Sequence, residues 1–295
     1  MFVIDPSSIN QFRAQIRTWR GKHVEQSRRW VRRFTARTFA RISPEQLRAA
    51  LEDLAVGPSR VLLVHSSLSA CGYFTGGPDS VVDALTDVCS TLCMPAHTYC
   101  YPEGPESIAP LFSADRTPSK SGILTEAFSR RPGVTRSIHS THSMAACGPL
   151  AEDLCRDHYK CDTPCGVGTP YAALVSLRAS VLLFGVDFHS YTLFHTAEDA
   201  SGSRWAYEEC TLDQLRVIDE RGGRQARASR RQSRTPRRFR ETGTLLESAG
   251  LTSRITLGRG TLTFVPDCSK VHDFLVERLK QTPDFLYQSC ARSLQ

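Results

Sequence analysis

Short apolar segments alternate with stretches of helical pattern along most of this chain. VLLVHSS at 61–67, residues 91–96 and VLLFGVD at 181–187 are short and bounded by turn residues, as buried strands are. TLTFVPD at 261–267 has the composition of a further, late strand. Strands separated by helices pack in layers, because helices cover the faces of the sheet. The pattern predicts a layered α/β fold.

Start signals mark the helices that lie between these strands. Ser43 precedes Pro44 and an acid in the first turn, which predicts a helix that continues to about Leu54. Pro78 opens a second helix in the same way. Two later helices are predicted from apolar residues at helical spacing, at 192–200 and 268–280.

Positive charge is concentrated in two segments of the sequence. Residues 13–41 hold ten Lys and Arg against one acid, and residues 221–240 hold nine arginines, in a chain of net charge +7. We predict a basic N-terminal helical arm at 1–42 and one core domain at 43–295. The Arg-rich segment 219–243 is expected to be a loop or insertion in that domain. Because the positive charge is concentrated in two patches rather than spread over the protein, each patch needs its own explanation.

Eleven cysteines are too few for a disulfide framework in a chain of 295 residues. The sequence does not open with a signal-peptide pattern, and no apolar stretch approaches the roughly 20 residues that cross a bilayer. We therefore expect free thiols, a cytoplasmic location and no membrane span. Cys155, His158, Cys161 and Cys165 lie close together but lack the C-x2-C pair typical of structural zinc. No metal is expected.

Histidines beside hydroxyl and carboxylate side chains form three motifs: VHSSL at 64–68, RSIHSTHS at 136–143 and FHTAE at 194–198. The ordinary pKa of imidazole lies near neutrality, so such motifs favour proton transfer. VHSSL follows a predicted strand, where α/β proteins usually bind ligands. His195 and Glu198 are three residues apart on a predicted helix, so the carboxylate can orient the ring. The structural alternatives are a capped turn, a solvated loop and a surface His–Glu pair.

In order and spacing, these motifs resemble the aminoglycoside 3-N-acetyltransferase family over roughly residues 45–210. The resembling segments are VLLVHSSLSACGYFTGGP (61–78), CMPAHTYCYP (93–102), FSADRTPSKSGILTEAF (112–128), RSIHSTHSMAACGPLAE (136–152), TPCGVGTPY (163–171) and VLLFGVDFHSYTLFHTAED (181–199). The resemblance implies one α/β/α domain with a central mixed sheet, distinct from the GCN5-type acetyltransferases. It also implies that acetyl-CoA is the co-substrate.

The same resemblance assigns roles to individual residues. It implies that His195 is the general base and that Glu198 supports it. Residues implied to contact coenzyme A are His65, Ser66, Ser67, Leu68, Arg136, Ser137, Thr141, His142 and Ser143. Ser140 stands where the family has a proline, and Glu103 and Asp115 are the candidates for an additional acid near the histidine.

The acceptor implied by the resemblance is a small-molecule amine on an aminoglycoside or another amino sugar. An ammonium group must lose a proton before it attacks a thioester, and direct attack needs no acyl-enzyme. The Arg-rich segment would repel a polycationic antibiotic, so a phosphorylated or nucleotide-linked amino sugar is the alternative acceptor. Cys71 beside VHSSL offers a rival nucleophilic mechanism.

A non-catalytic protein that binds nucleic acid or a membrane surface is a third hypothesis, supported by the arginine patches. Neither patch has the interleaved aromatic residues of single-strand binders, so nucleic acid is not the expected partner. A homodimer is compatible with the sequence.

Overall fold

The computed structural model describes residues 41–56, 59–98, 111–114, 116–209, 217–219, 225–226, 228 and 230–288. Almost all of the predicted basic arm at 1–42 lies outside the described residues, as do Glu103 and Asp115.

Strands and helices alternate along the described chain. In chain order the strands are β1 (Arg41–Ile42), β2 (Ser59–Ser66), β3 (Tyr73–Phe74), β4 (Cys89–Pro95), β5 (Leu111–Phe112), β6 (Thr135–Arg136), β7 (Met144–Cys147), β8 (Ser180–Phe184), β9 (Tyr207–Glu209), β10 (Val217–Asp219), β11 (Gln225–Ala226), β12 (Arg230–Gln232), β13 (Ser253–Leu257) and β14 (Gly260–Val265). The α-helices are α1 (Pro44–Asp53), α2 (Leu68–Cys71), α3 (Gly77–Asp87), α4 (Ile123–Ser129), α5 (Ala151–Cys155), α6 (Pro170–Ser176), α7 (Phe194–Ala200), α8 (Phe239–Ser248) and α9 (Cys268–Gln281). Short 3-10 turns lie at His158–Lys160 and Phe188–Ser190.

A seven-stranded mixed sheet forms the centre of the fold, in the order β13-β14-β8-β2-β4-β7-β6. Strand β2 is parallel to both β4 and β8, and the other neighbouring pairs are antiparallel. Strands β2, β4, β8 and β14 overlap the four apolar segments from which strands were predicted. The predicted mixed α/β sheet is confirmed.

Alternate residues of the central strands belong to two different cores. Leu63 and Leu183 pack in one core with residues of α6, α7 and α9. Leu62 and Leu182 pack in the other with residues of α1, α3 and α4. Because successive side chains of a strand point to opposite faces, helices cover both faces of the sheet. The result is the predicted α/β/α layering, and it explains why the strands are continuously apolar.

The hydrogen bonds at the start of α1 agree with the helix start predicted at Ser43. The hydroxyl of Ser43 accepts from the backbone N–H of Gln46, and the Gln46 side chain accepts from the Ser43 N–H. This reciprocal capping box is the reason the helix begins at Pro44. Helix α7 begins two residues later than predicted. The residues before the helix form a tighter turn, in which the N–H of His195 donates to the carbonyl of Thr192 at 3.0 Å.

The described part of the Arg-rich segment contains regular structure. Strand β12 pairs antiparallel with β9, and α8 begins at Phe239. Arg231 forms an ion pair with Glu208 at 2.9 Å, and Arg230 one with Glu209 at 3.2 Å. Opposite charges that face each other across the two strands stabilise this pairing. That residues 219–243 as a whole form a loop or insertion stays a prediction. Among the described helices, none is long and apolar enough to cross a membrane.

Candidate active site

His195 and Glu198 form a short contact on one face of α7. The ring Nδ1 of His195 lies 2.5 Å from Oε2 of Glu198. Glu198 is fully buried, whereas the His195 side chain keeps 14% of its surface exposed. The i, i+3 spacing places both side chains on one helix face, so the turn of α7 itself creates the pair.

Arg237 completes this arrangement from a segment far along the chain. Its Nε donates to Oε1 of Glu198 at 2.8 Å, so both carboxylate oxygens of Glu198 have a cationic or imidazole partner. The Arg237 side chain is only 10% exposed. Burial alone would raise the pKa of Glu198, but His195 and Arg237 outweigh it and hold that pKa below its usual value.

An ionised Glu198 fixes the protonation state of the histidine. A carboxylate accepts hydrogen bonds only, so the Nδ1 of His195 carries the proton that it donates to Glu198. The Nε2 atom is then the ring nitrogen with a lone pair that can accept a proton. The ring packs edge-on against Phe239, with the ring centroids 5.3 Å apart, which limits its rotation. A carboxylate-supported imidazole of this kind is suited to general-base chemistry.

Two cavities meet at His195. The first, of about 360 Å³, lies at the carboxyl ends of β2, β4 and β8, and the hydroxyl groups of Ser66, Ser121 and Thr125 are among its lining. The second, of about 530 Å³, is lined by residues 231–237 and by Thr141. His142, His189 and His195 line both. A group held in one cavity can therefore meet a group held in the other beside the His195 ring.

The VHSSL motif lies at the end of β2, as predicted. His65 and Ser66 line the first cavity, Ser67 is half-buried beside it, and Leu68 is buried in the core. Burial and the neighbouring His97 lower the pKa of His65 to about 3, so its ring is neutral. Within the described part of the chain, Nε2 of His65 has no hydrogen-bond partner.

Arg136, Ser137 and Ser143 are buried and bound to the protein's own groups. Arg136 donates to the hydroxyl of Ser143 at 3.2 Å and to the carbonyl of Ala96 at 2.9 Å. The hydroxyl of Ser137 lies 2.8 Å from Nδ1 of His158 and accepts from the backbone N–H of Met144. These side chains hold the loop between β6 and β7 in place, beneath the cavities.

Thr141 and His142 lie closer to the cavities. The Thr141 hydroxyl lies 2.8 Å from Nδ1 of His142, and the His142 ring lies 6.2 Å from the His195 ring in an edge-on arrangement. Thr141 lines the second cavity and His142 lines both. Burial lowers the pKa of His142 well below its ordinary value, and that of His97 to about 4. The neutral rings of His97 and His142 thus lie near His195.

Burial shapes the chemistry of Cys71 and of His158, two residues that the sequence analysis considered for other roles. Burial raises the pKa of Cys71 to about 11, and its side chain is completely covered. His158 lies 3.2 Å from the Pro164 carbonyl through Nε2, so both of its ring nitrogens have protein partners. No group of three or more candidate metal ligands occurs among the residues that the structure describes.

Sequence reasoning missed Arg237, His97 and Phe239. Arg237 is one of nine arginines in a low-complexity segment, and its position in the sequence does not distinguish it from its neighbours. His97 lies just after β4, and a polar residue at the end of a predicted strand is the same signal that indicated a ligand site at VHSSL.

Comparison with known proteins agrees with this fold. The family model described as Aminoglycoside 3-N-acetyltransferase matches residues 63–280. Aminoglycoside N(3)-acetyltransferase VII of Streptomyces paromomycinus is 34% identical over 192 residues, which cover 58% of this chain and 66% of that protein. Aminoglycoside N(3)-acetyltransferase VIII of Streptomyces fradiae is 37% identical over 183 residues, which cover 54% and 63%. The matches thus span slightly less than two thirds of these two relatives.

Solved structures show the same architecture. The crystal structure of aminoglycoside acetyltransferase AAC(3)-Xa is similar with a TM-score of 0.70 at 26% identity, covering 84% of this chain and 94% of that one. A mixed sheet covered by helices on both faces defines the class, a layered α/β protein. The chain belongs to the aminoglycoside 3-N-acetyltransferase family, a family of N-acetyltransferases. The resemblance inferred from the motifs is confirmed.

Proposed function

We propose that this protein transfers an acetyl group from acetyl-CoA to an amine of an aminoglycoside or related amino sugar. The observation that carries the proposal is the His195–Glu198 contact at the junction of two cavities. The names of the two relatives from Streptomyces, both aminoglycoside N(3)-acetyltransferases, support the reaction class. A structural neighbour of the same fold, AAC-IIIb, was solved as a binary complex with CoASH.

In the proposed reaction, His195 acts as the general base in a direct transfer. Its Nε2 takes one proton from the acceptor's ammonium group, and the free amine nitrogen then attacks the thioester carbon. The new C–N bond forms, the C–S bond breaks, and the second proton that the nitrogen loses passes to the departing thiolate, so that coenzyme A leaves as the free thiol. Glu198 stabilises the imidazolium that results. General-base catalysis of this kind typically contributes about 10²- to 10⁴-fold in rate.

Acetyl-CoA is assigned to the first cavity and the acceptor to the second. The hydroxyl-rich lining at Ser66, Ser121 and Thr125 suits the amide and thioester groups of a pantetheine arm. Among the predicted coenzyme A contacts, His65, Ser66, Ser67 and His142 are proposed to face acetyl-CoA, whereas Thr141 is proposed to face the acceptor, because it lines only the second cavity. The other predicted contacts are proposed to support the cavity wall without touching the ligand, because their side chains pack in the core or bond to protein groups. They are Leu68, Arg136, Ser137 and Ser143.

An acceptor that carries an anionic group is a second candidate. Arg231, Arg234 and Arg237 line the second cavity, and the described residues that line it include no carboxylate. The charge is smaller than the sequence suggests, because Arg231 and Arg237 form ion pairs with Glu208 and Glu198. Arg234 is then the cation that would meet a phosphate or carboxylate of such an acceptor.

The test is consumption of acetyl-CoA, followed with a free-thiol reagent, against a panel of aminoglycosides and nucleotide-linked amino sugars. His195→Ala should abolish turnover on whichever amine is accepted. Arg240→Gln is the control, since the exposed Arg240 pairs with Asp187 and lines neither cavity, and its kcat should change less than about tenfold. A protein that binds no coenzyme A, but retains DNA or liposomes in a steeply salt-dependent manner, would reject the proposal in favour of a binding role.

A further inference from the structure

We infer that Arg237 is a positioning residue for the proposed reaction: its guanidinium holds the Glu198 carboxylate in the orientation and charge state that align His195. The inference rests on the proposed role of His195 as the base. It gives a function to one member of the Arg-rich segment, which the sequence alone presents as a charged loop.

The three side chains form one continuous row of contacts. The guanidinium Nε of Arg237 donates to one oxygen of Glu198 at 2.8 Å, and the other oxygen of Glu198 lies 2.5 Å from Nδ1 of His195. A carboxylate held at both oxygens cannot rotate without breaking one of these contacts. The direction of the His195 ring is therefore set by where Arg237 places Glu198.

Arg237 is itself held on all sides. Its remaining N–H groups donate to the carbonyls of Ser233, Thr235 and Ala206 at 2.9 to 3.1 Å. The guanidinium carbon lies 5.5 Å from the centre of the Tyr287 ring and 5.9 Å from that of Phe239. A planar fork with several fixed acceptors is a geometry that arginine provides and lysine does not. Phe239 also packs against His195, so the segment after β12 supports both ends of the row.

The charge of Arg237 bears on proton transfer as well as on position. A proton added to the His195–Glu198 pair makes the pair more positive, and a fixed cation beside it opposes that step. Removing the cation therefore makes His195 easier to protonate, so that less of the free base is present near neutral pH. A neutral side chain that made the same contacts would have no such effect.

The protonation of His195 can be distinguished from that of the other titratable groups around this row. Those that face it are His97 after β4, His142 before β7, Cys165 before α6, His189 after β8 and Tyr287 after α9. Burial keeps the pKa of His97 at about 4 and that of His142 well below its ordinary value, and it raises the pKa of Cys165 and of Tyr287. His189 is exposed and has its own resonance in an NMR titration. Arg231 and Arg234 line the same cavity as fixed charges.

The experiment titrates the Cε1–H resonance of His195 in ligand-free protein, assigned by its loss in His195→Gln. Arg237→Gln should raise the His195 midpoint by about one to two pH units. Arg237→Lys keeps the charge and should leave the midpoint within a few tenths of a unit, even if its Tm falls. The matched control is Arg240→Gln, which removes an exposed arginine that pairs with Asp187 outside the row and should behave as wild type. If Arg237→Gln does not fold, Arg237→Met replaces it, because an apolar chain packs between the two rings.

Kinetics provide the second readout. At pH 7, Arg237→Gln should lower kcat by about 10- to 100-fold and leave the KM values nearly unchanged, since geometry rather than binding is lost. A midpoint that is the same in wild type and the neutral variant, or that moves equally in Arg237→Lys, overturns the inference. If wild-type protein acetylates no amine, the proposed function fails, whereas the titration still reports on Arg237.

Discussion

Gly185 lies directly against the backbone of Ser67, and this contact brings the end of β8 to the VHSSL turn. The N–H of Ser67 donates to the carbonyl of Phe184 at 2.8 Å. A Cβ atom on Gly185 would lie 2.6 Å from the Ser67 carbonyl oxygen, and Gly185 has a φ of +67°. Only glycine allows both the left-handed backbone and the close approach at this point.

Gly185→Ala should therefore displace the turn that carries Ser66 and Ser67. We expect a loss of about 2–4 kcal/mol in the free energy of unfolding and a higher KM for acetyl-CoA. Gly202→Ala is the matched control, because Gly202 has a φ of +65° and open space around it. That variant should lose only about 1–2 kcal/mol and keep its KM. Equal losses in urea unfolding would show that close approach at Gly185 has no role.

Two neighbouring buried serines should respond in opposite ways to removal of their hydroxyl groups. Ser137→Ala deprives Nδ1 of His158 and the N–H of Met144 of a buried partner, which costs about 1–3 kcal/mol. The Ser140 hydroxyl is buried with no partner among the described residues. Ser140→Ala should consequently be neutral or stabilising. Thermal unfolding of the two variants tests the hydrogen-bond assignment, and a larger loss in Ser140→Ala than in Ser137→Ala would contradict it.

The buried histidines predict a steep loss of stability in mild acid. Burial lowers the pKa of His65 and of His158 to about 3 and that of His97 to about 4. Below the ordinary pKa of 6.5 the unfolded chain takes up protons that the folded chain does not, so stability falls as the pH decreases from about 6.5 to about 4. Each such histidine contributes about 1.4 kcal/mol for every pH unit.

Urea unfolding at pH 7.5, 6 and 5 measures this slope. A free energy of unfolding that is constant between pH 7 and pH 5 would show that these rings are not held neutral by burial.

Cys71 is expected to be dispensable for catalysis. Its thiol is fully covered and burial raises its pKa to about 11, so almost no thiolate is present near neutral pH. Cys71→Ala should keep kcat within roughly threefold of wild type, because direct transfer needs no acyl-enzyme. Loss of turnover together with an acetylated Cys71 peptide in mass spectrometry would instead establish the covalent route.

The features that could be predicted from the sequence are those that depend on near neighbours in the chain. The apolar segments became the central strands, the signals at Ser43 marked a helix start, and the His195–Glu198 spacing placed both side chains on one helix face. Arg237 could not be found in this way, since it meets Glu198 across 39 positions of sequence. The pairing of Arg231 with Glu208 likewise depends on strand register, which composition does not reveal.

The most direct test of the account is the pH dependence of acetyl transfer in a single turnover by wild-type protein and by His195→Gln. We predict that the wild-type rate falls on the acid side as the base becomes protonated. In His195→Gln the rate should be about 10²- to 10⁴-fold lower near neutral pH, and the acid-side fall should disappear. A His195→Gln protein that transfers acetyl within tenfold of the wild-type rate, with the acid-side fall intact, would contradict the assignment of His195 as the base.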